Sequence, residues 1–589
     1  MHTMRRIHNE RGVALITVLL VALVVGVFSV AAALIGTNSG LINRFQERQN
    51  TLEAVADAGI EQGRSIVNAD RTLYPANGYN TLETGVAVND ASGTAIPNVT
   101  RSLYVGPTGI TTGQYGVFGS VVSVAEDRFG NRVVRRGEMV QESFAKYAYF
   151  TDFEPSTIRF GGGDQIFGPV HSNSPIRIYS TPPTPAATFW GPVTTAADVQ
   201  GAGNALFAQG FQEFVANIPM PQTADLVALQ VQAAAGNTSF VGTTVGNAGS
   251  ATTRIEFVAI DLNVDGQVNG ANEGFFKIYQ CTLANTTCAS YVVADVPTVG
   301  MDDTRNCGHL HAGGVFVDAF AHPNENNADS WEDALKSASR RCYLGGSDSL
   351  FGAFQAVDPR PSAGRWLLWP GAVSPLVAGR PDGAYLFPIT RELNPNFKGV
   401  IYVQGRVALS GVLRGKVTVA ATEDIIIVDD LTYATNPGAG TCNDMLGLFG
   451  GTDIIVSDNT IQAPQQPTGG TYYTYDDTRD EVINGVLLAL NIFTVENYNA
   501  GASNAESCQG TAWGRGCLLL TGGIIQQQRG AVGTTGGTGN LKRYSYDQCA
   551  YTDPPPYFPT TGIFTRGRYY EVNPVGFDVA ALYQSLTPN

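Results

Sequence analysis

The sequence has little charge. Only 15% of its 589 residues are Asp, Glu, Lys or Arg, and 51 acidic residues outnumber 36 basic ones, for a formal net charge of -15. No Lys/Arg cluster stands beyond the first few residues. Binding to nucleic-acid phosphates is therefore excluded as a main role, because that affinity comes from basic patches that release counterions. Enzyme signatures are missing too: there is no G-x-S-x-G, no H-E-x-x-H and no Walker A sequence. The adjacent acids Asp429-Asp430 and Asp476-Asp477 read as solvated turn residues, not as the spaced carboxylate pair of glycan cleavage. A non-enzymatic protein is expected. Cysteine does not occur before Cys281, and no proline interrupts Val13 to Ala69.

What is present first is an apolar run. "ERGVALITVLLVALVVGVFSV" opens a stretch without charge from Val13 to Gly36. As a helix it covers roughly 36 Å, enough for a hydrocarbon core of about 30 Å. It is longer than a signal-peptide apolar region, and no clear small-residue cleavage site closes it. Arg5, Arg6 and Arg11 precede it, so the positive-inside rule keeps the amino terminus cytoplasmic and sends the rest outward. A single-pass protein of the inner (cytoplasmic) membrane is expected, with its ectodomain outside the cytoplasm.

Beyond the run, Leu41, Phe45, Leu52, Ala56, Gly59, Gly63 and Val67 trace one helical face. The spacing predicts one helix of more than 50 residues whose outer half is amphipathic. It suits either a stalk that packs on its own domain or a helix that enters a helical bundle.

A basic leader ending in Gly12, then "VALITVLLVAL" and a helix carrying "LEAVADAGIEQG", resembles the N-terminal segment of type IV pilins. It is most similar to PilX-type minor pilins and to K-type tip pseudopilins of type II secretion. The resemblance covers roughly residues 1–70. It implies a prepilin-type leader over 1–12, cleavage after Gly12 by a prepilin peptidase, and methylation of Val13. It also implies other pilins and inner-membrane assembly machinery as partners. Where shaft pilins carry glutamate at the fifth mature position, this chain has Thr17. A subunit without that carboxylate cannot neutralise a neighbour's amino terminus inside an apolar core. The departure favours a filament tip at the cell surface.

The expected fold is mainly β with one long N-terminal helix. Residues 13–36 form the apolar half of that helix and 37–70 its amphipathic half. Residues 71–150 are expected to form a small β-rich, pilin-like head with a hairpin at Phe129-Gly130-Asn131. Residues 151–589 are expected to be a large β-rich, solenoid-like or stacked-sheet ectodomain. Its short β-branched runs are broken by glycine, and "IFGPVHSN" at Ile166 returns as "FWGPVTTA" at Phe189. Helical insertions near 204–232 and 330–338 are expected to cover an end or edge of the sheet.

Eight cysteines, all in this outer region, predict disulfides of an oxidising compartment. Closeness in sequence pairs Cys281 with Cys288, Cys508 with Cys517 and Cys307 with Cys342, which leaves Cys442 with Cys549. "DLNVDGQVNGANE" places Asp261, Asn263, Asp265 and Asn269 as in a calcium loop, though its twelfth position is Asn272 and Glu273 comes one residue late. The flanks read as strands, and the same residues also make ordinary hairpin turns. "NCGHLHAGG" sets Cys307, His309 and His311 at alternate positions without an evident fourth ligand. His171 reads as a turn residue with a hydrogen-bonded ring.

Three functions follow from these residues: a minor pilin or pseudopilin carrying a surface-binding head, a membrane-anchored adhesin outside any filament, and an anchored glycan-active enzyme. The surface or glycan target is open. If the loop holds calcium, chelation lowers the melting temperature and Asp265→Ala removes that sensitivity. An unchanged melting curve on chelation leaves a plain hairpin turn.

Overall fold

The computed structural model describes residues 11–108, 114, 116–161, 163–180, 185–242, 251–263, 268–281, 309–311, 315–317, 364–378, 383–437, 440–457, 481–499, 506–509, 511–513, 515–534 and 536–587. The chain divides into two compact units. The first comprises Met1–Ile110, Phe118–Val140 and Phe564–Asn589; the second comprises Thr111–Val117 and Gln141–Ile563.

The first unit is built on α1, Arg11–Ala69. The absence of proline lets it run unbroken, and it stops where the Asp70 side chain accepts the Thr72 N–H (3.0 Å) and turns the chain. Four antiparallel strands follow: β1 (Asn80–Asn89), β2 (Ala95–Pro107), β3 (Phe118–Asp127) and β4 (Arg132–Ser143). The β3–β4 turn is set by Asp127, whose Oδ1 accepts the N–H groups of Phe129 (2.8 Å) and Asn131 (3.0 Å). The C-terminal strand, Thr560–Val572, is the fifth in the sheet, beside β4. Residues 564–589 therefore belong to the first unit, against the expected single outer region 151–589, and the larger unit begins at Gln141. The return is anchored at Asn68, whose amide donates to the Phe564 carbonyl (3.0 Å) and accepts the Phe564 N–H (2.8 Å).

The second unit consists mostly of short parallel strands in three ladders. In the first, Ser239–Val241, Val400–Gln404, Lys416–Ala421, Met445–Gly450 and the later half of Glu481–Ala489 lie side by side. The ladder continues through the later half of Cys517–Gln528, then Tyr149–Phe153, Val170–Ser172, Val193–Thr195 and Phe211–Gln212. Its inward row is Ile401, Val419, Leu448, Leu487, Ile524, Tyr149, Val170 and Val193, all in one core. Period-2 alternation sends the other residues outward. There Tyr402, Ala420, Phe449, Leu488, Ile525 and Phe150 form a second core.

The second ladder stacks Thr253–Ala259, the start of Val407–Leu413, Ile425–Ile427, Ile454–Val456 and Phe493–Val495. The third includes Glu481–Ile483, Cys517–Thr521, Leu541–Ser545, Asp164–Ile166, Ala187–Phe189 and Ala205–Phe207. Long strands turn from one ladder into another at glycine. Gly522 lies at φ 147°, and a Cβ there would meet the Gly485 carbonyl oxygen at 1.9 Å. Only glycine allows the two corners to stack so closely.

The "FGPV" and "WGPV" repeat is a structural register, with Ile166 beside Phe189 and Val170 beside Val193. The expected helix near 204–232 is corrected. Helix α2 covers only Thr223–Ala235, and Ala205–Phe207 and Phe211–Gln212 are strands. Gly210, at φ 74°, breaks a helix there, while Phe207 and Phe211 continue the columns of Phe189 and Val193. Helix α2 buries Leu226, Leu229 and Ala233 against the outward row of the first ladder, not over an end or edge. The insertion expected near 330–338 lies outside the described residues.

The order of coils is not the order of the chain. The chain enters mid-stack at Tyr149 and reaches one end at Phe211. It restarts at the other end at Ser239 and returns to place Ile524 beside Tyr149. At that seam Phe144 N–H donates to the Pro559 carbonyl (3.0 Å) and Thr560 Oγ1 to Gln141 Oε1 (2.6 Å), so both ends of the unit meet.

Ionic groups are buried at the seam. Arg529 Nη1 lies 3.0 Å from Glu154 Oε2, the side chains 2% and 0% exposed, and Glu154 Oε1 accepts the hydroxyls of Tyr149 (2.8 Å) and Thr151 (2.7 Å). Lys542 Nζ stands 3.1 Å from Asp164. Burial holds that ammonium below the usual lysine range, with Asp164 opposing the shift.

Removing one partner of a buried pair leaves a charge without compensation. Arg529→Met is expected to lower stability by about 3–5 kcal/mol. Urea unfolding followed by tryptophan fluorescence reads this unit alone, because all five tryptophans lie in it. An unshifted midpoint contradicts a structural role for the pair.

Candidate functional site

The most distinctive chemical surface of the first unit is the amino-terminal half of α1. Its large apolar side chains from Val13 to Phe45, including Leu20, Phe28 and Ile35, are exposed. Among the described residues this is the helix long and apolar enough to cross a membrane. It suits a single span or a signal anchor. Gly12 and Val13 lie in its first turn. Thr17 Oγ1 donates to the Val13 carbonyl at 2.8 Å. Thr17 therefore satisfies its donor within the helix and brings no unpaired O–H into an apolar surrounding.

From Leu52 onward the same helix is seated on its own sheet. Leu52, Ala56, Gly59, Gly63 and Val67 of the expected face are buried, together with Val55 and Ile60. Leu41 and Phe45 belong to the same periodic face but remain exposed. The two glycines set the approach. A Cβ on Gly59 would meet Ser123 Oγ at 2.1 Å, and one on Gly63 would meet Val121 Cγ1 at 2.5 Å. Arg135, largely buried on β4, reaches Asp57 (3.4 Å) and Glu53 (3.7 Å) on the helix and Glu571 (2.6 Å) on the C-terminal strand. Periodicity marked the glycines as part of a face; the role of Arg135 has no local signal.

The candidate calcium loop joins Thr253–Ala259 to Gly274–Cys281, which pair antiparallel up to Ala259 beside Gly274. It is a loop between strands. Asp261 is buried; Asn263 and Asn269 are placed, and Asp265 lies outside the described residues. Glu273 staples the loop, its carboxylate accepting the N–H groups of Leu262 (3.2 Å) and Gly270 (2.6 Å). Arg414 donates to the Gly270 carbonyl (3.0 Å) and to that of Asn269. Arg414 thus ties this end of the loop to a neighbouring strand. Among the described residues, no three His, Cys, Asp or Glu side chains converge as a metal centre.

His309 and His311 lie at alternate positions of a short strand that pairs with Val315–Val317. Cys307 lies outside the described residues. Asp430 accepts the Val482 N–H (2.7 Å), a link between neighbouring coils. Disulfides join Cys442 to Cys549 and Cys508 to Cys517. Cys281 is also disulfide-bonded, and Cys288, Cys307 and Cys342 lie outside the described residues. Closing the 107-residue separation of the first pair constrains the unfolded chain by about 4–5 kcal/mol on the loop-entropy account.

His171 is in a strand, not a turn. Its ring stacks on Phe150 and lies 2.8 Å from Thr194 Oγ1 and 3.0 Å from Asn173 Oδ1. Asn173 is itself fixed by both backbone groups of Ile218. Burial lowers the ring pKa, with the Asn173 bond opposing.

The chain matches no protein-family model, no curated protein and no solved structure.

Two outcomes are expected. Gly63→Leu forces a branched side chain onto Val121 and should destabilise the first unit by about 1–3 kcal/mol, read as faster proteolysis near Gly63; unchanged cleavage contradicts the close seating. A histidine with a depressed folded pKa stays neutral while the unfolded chain takes up a proton, so stability falls as pH drops below about 6.5. The stability of the native chain relative to His171→Gln should therefore decline between pH 7.5 and 5.5. A constant difference contradicts the buried neutral ring.

Proposed function

We propose that the chain is a non-enzymatic type IV pilus minor pilin or pseudopilin-like protein. It serves pilus assembly or holds a large β-rich ectodomain at a filament tip. The observation that carries this reading is the division of α1. Its stretch from Val13 to Gly36 is uncharged, predominantly apolar and exposed, and its outer half is seated on a five-stranded sheet through Gly59 and Gly63. A plain anchor requires the first half alone. A helix shared between a bilayer and a helical bundle requires both, because the bare half needs an apolar environment on each side of the transfer.

On this reading Gly12 is the prepilin peptidase site, Val13 the mature amino terminus, and other pilins the partners of the bare helix. Thr17, with its hydroxyl turned back to Val13, supplies no carboxylate to a neighbour, which suits a terminal position. We read the three parallel ladders as coils of a β-solenoid. Its interior is filled by side-chain columns, so its outer faces are what it offers to a surface. The bulk of Gln141–Ile563 is more readily carried at a tip than repeated along a shaft.

Mass spectrometry of the mature protein from its native host decides the matter. The expected amino terminus is Val13, with Gly12→Val leaving the leader in place. An intact Met1 in the native protein contradicts the proposal and leaves a membrane-anchored binding protein.

A further inference from the structure

Lys542 and Asp164 oppose each other on neighbouring parallel strands of the third ladder. Arg543 lies beside Gln165 and Tyr544 beside Ile166, which sets Lys542 against Asp164 one step earlier. Tyr544 and Ile166 belong to the inner core, and period-2 alternation turns Lys542 and Asp164 the same way. Lys542 Nζ stands 3.1 Å from Asp164 Oδ2, the side chains 16% and 4% exposed. The same carboxylate oxygen accepts the Gly161 N–H at 3.1 Å.

The other charges of this site already balance, because Arg529 is paired with Glu154 at 3.0 Å. Lys542 and Asp164 therefore have only each other to answer to. Keeping ions out of water is costly, and a buried group responds by giving up its charge. One proton passed across 3.1 Å turns this ion pair into an amine and a carboxylic acid, with no change in net charge. Burial lowers the Lys542 pKa; Asp164 opposes that shift and Arg529 adds to it. An amine held against a protonated carboxyl group is the reactant pair of an amide. Fixed geometry of this kind can equal an effective concentration of about 10⁵–10⁸ M.

The pair also sits where the disulfides do not reach. No cysteine precedes Cys281, so none can tie the coils between Tyr149 and Gln212 to the rest of the stack. Cys442–Cys549 and Cys508–Cys517 both close within the later part of the chain. Lys542 and Asp164, 378 residues apart, face each other across the seam where that later part meets the early coils. We propose that Lys542 and Asp164 join in an intramolecular amide that closes this seam covalently. The Lys542 nitrogen attacks the Asp164 carboxyl carbon, and an Nζ–Cγ bond forms. The bond from that carbon to the hydroxyl oxygen breaks, and the hydroxyl leaves as water with one proton from the amine. No electron changes hands and no co-reactant is needed. The Gly161 N–H stabilises the negative charge that gathers on the carboxyl oxygens as the nitrogen adds.

Peptide mass spectrometry tests this on the full chain purified in detergent, then denatured, reduced and digested with trypsin. The expected product is residues 160–177 joined to residues 530–543, one water lighter than the two peptides together and uncut after Lys542. Lys542→Arg keeps the positive charge but brings no nucleophilic amine, and should release residues 160–177 as a separate peptide. The native chain decides the matter whether or not that variant folds. Recovery of 160–177 and 530–542 as separate, full-mass peptides from the native chain overturns the proposal. Loss of water from 160–177 alone overturns it as well, because a cyclic imide at Asp164 gives that mass without a link.

Discussion

The larger unit depends on one parallel pairing, Ile524–Gln526 beside Tyr149–Thr151, where the last part of the stack meets the first. Most other neighbours are close in the chain, so local connection helps to form them; Ser239–Val241 beside Tyr402–Gln404 and Thr253–Phe257 beside Val407–Gly411 are longer steps, but they run in chain order. This pairing joins segments some 375 residues apart (526 − 151 = 375), and its loop-closure entropy must be offset by what it brings together. The pairing brings in the Tyr149 and Ile524 side chains for the inner core, Phe150 and Ile525 for the outer one, and the buried Arg529–Glu154 pair. A buried ion pair is a weak source of net stability, but it penalises a misplaced partner heavily. At a seam that must choose one register among many similar coils, that penalty selects.

Closing the stack at its middle also settles how a unit of this size is spliced into a small sheet. β4 and the C-terminal strand are neighbours, so whatever lies between them in sequence must return its ends to one place. Gln141 and Thr560 are joined by a hydrogen bond. A stack read from one end to the other in chain order would leave its ends a full stack length apart. The permuted order is what reconciles many coils with one point of insertion.

Some of this was legible along the sequence. The α1 face from Leu52 to Val67 follows from helical spacing, and it is buried because β2 and β3 lie against it. Leu41 and Phe45 share the spacing but extend beyond the sheet, so periodicity alone misstates their burial. The repeat of "FGPV" and "WGPV" is the neighbour-to-neighbour register made visible. "ALFAQGFQEF" carries apolar residues at helical intervals, yet it forms strands because Phe207 and Phe211 extend the columns of Phe189 and Val193; tertiary packing overrides local spacing. The return of residues 564–589 to the first sheet, and the roles of Asn68 and Arg135, depend on partners hundreds of residues away or on another element. No local pattern encodes them. Glu273, one position late for a calcium ligand, is the residue that staples its loop through two N–H groups.

The central functional claim is that the bare half of α1 packs among other helices and not only among lipids. A photo-crosslinking residue at Leu23, activated in cells that assemble filaments, tests it most directly. The account predicts covalent adducts with proteins that carry apolar amino-terminal helices. Adducts with lipid alone, under conditions in which filaments form, contradict it.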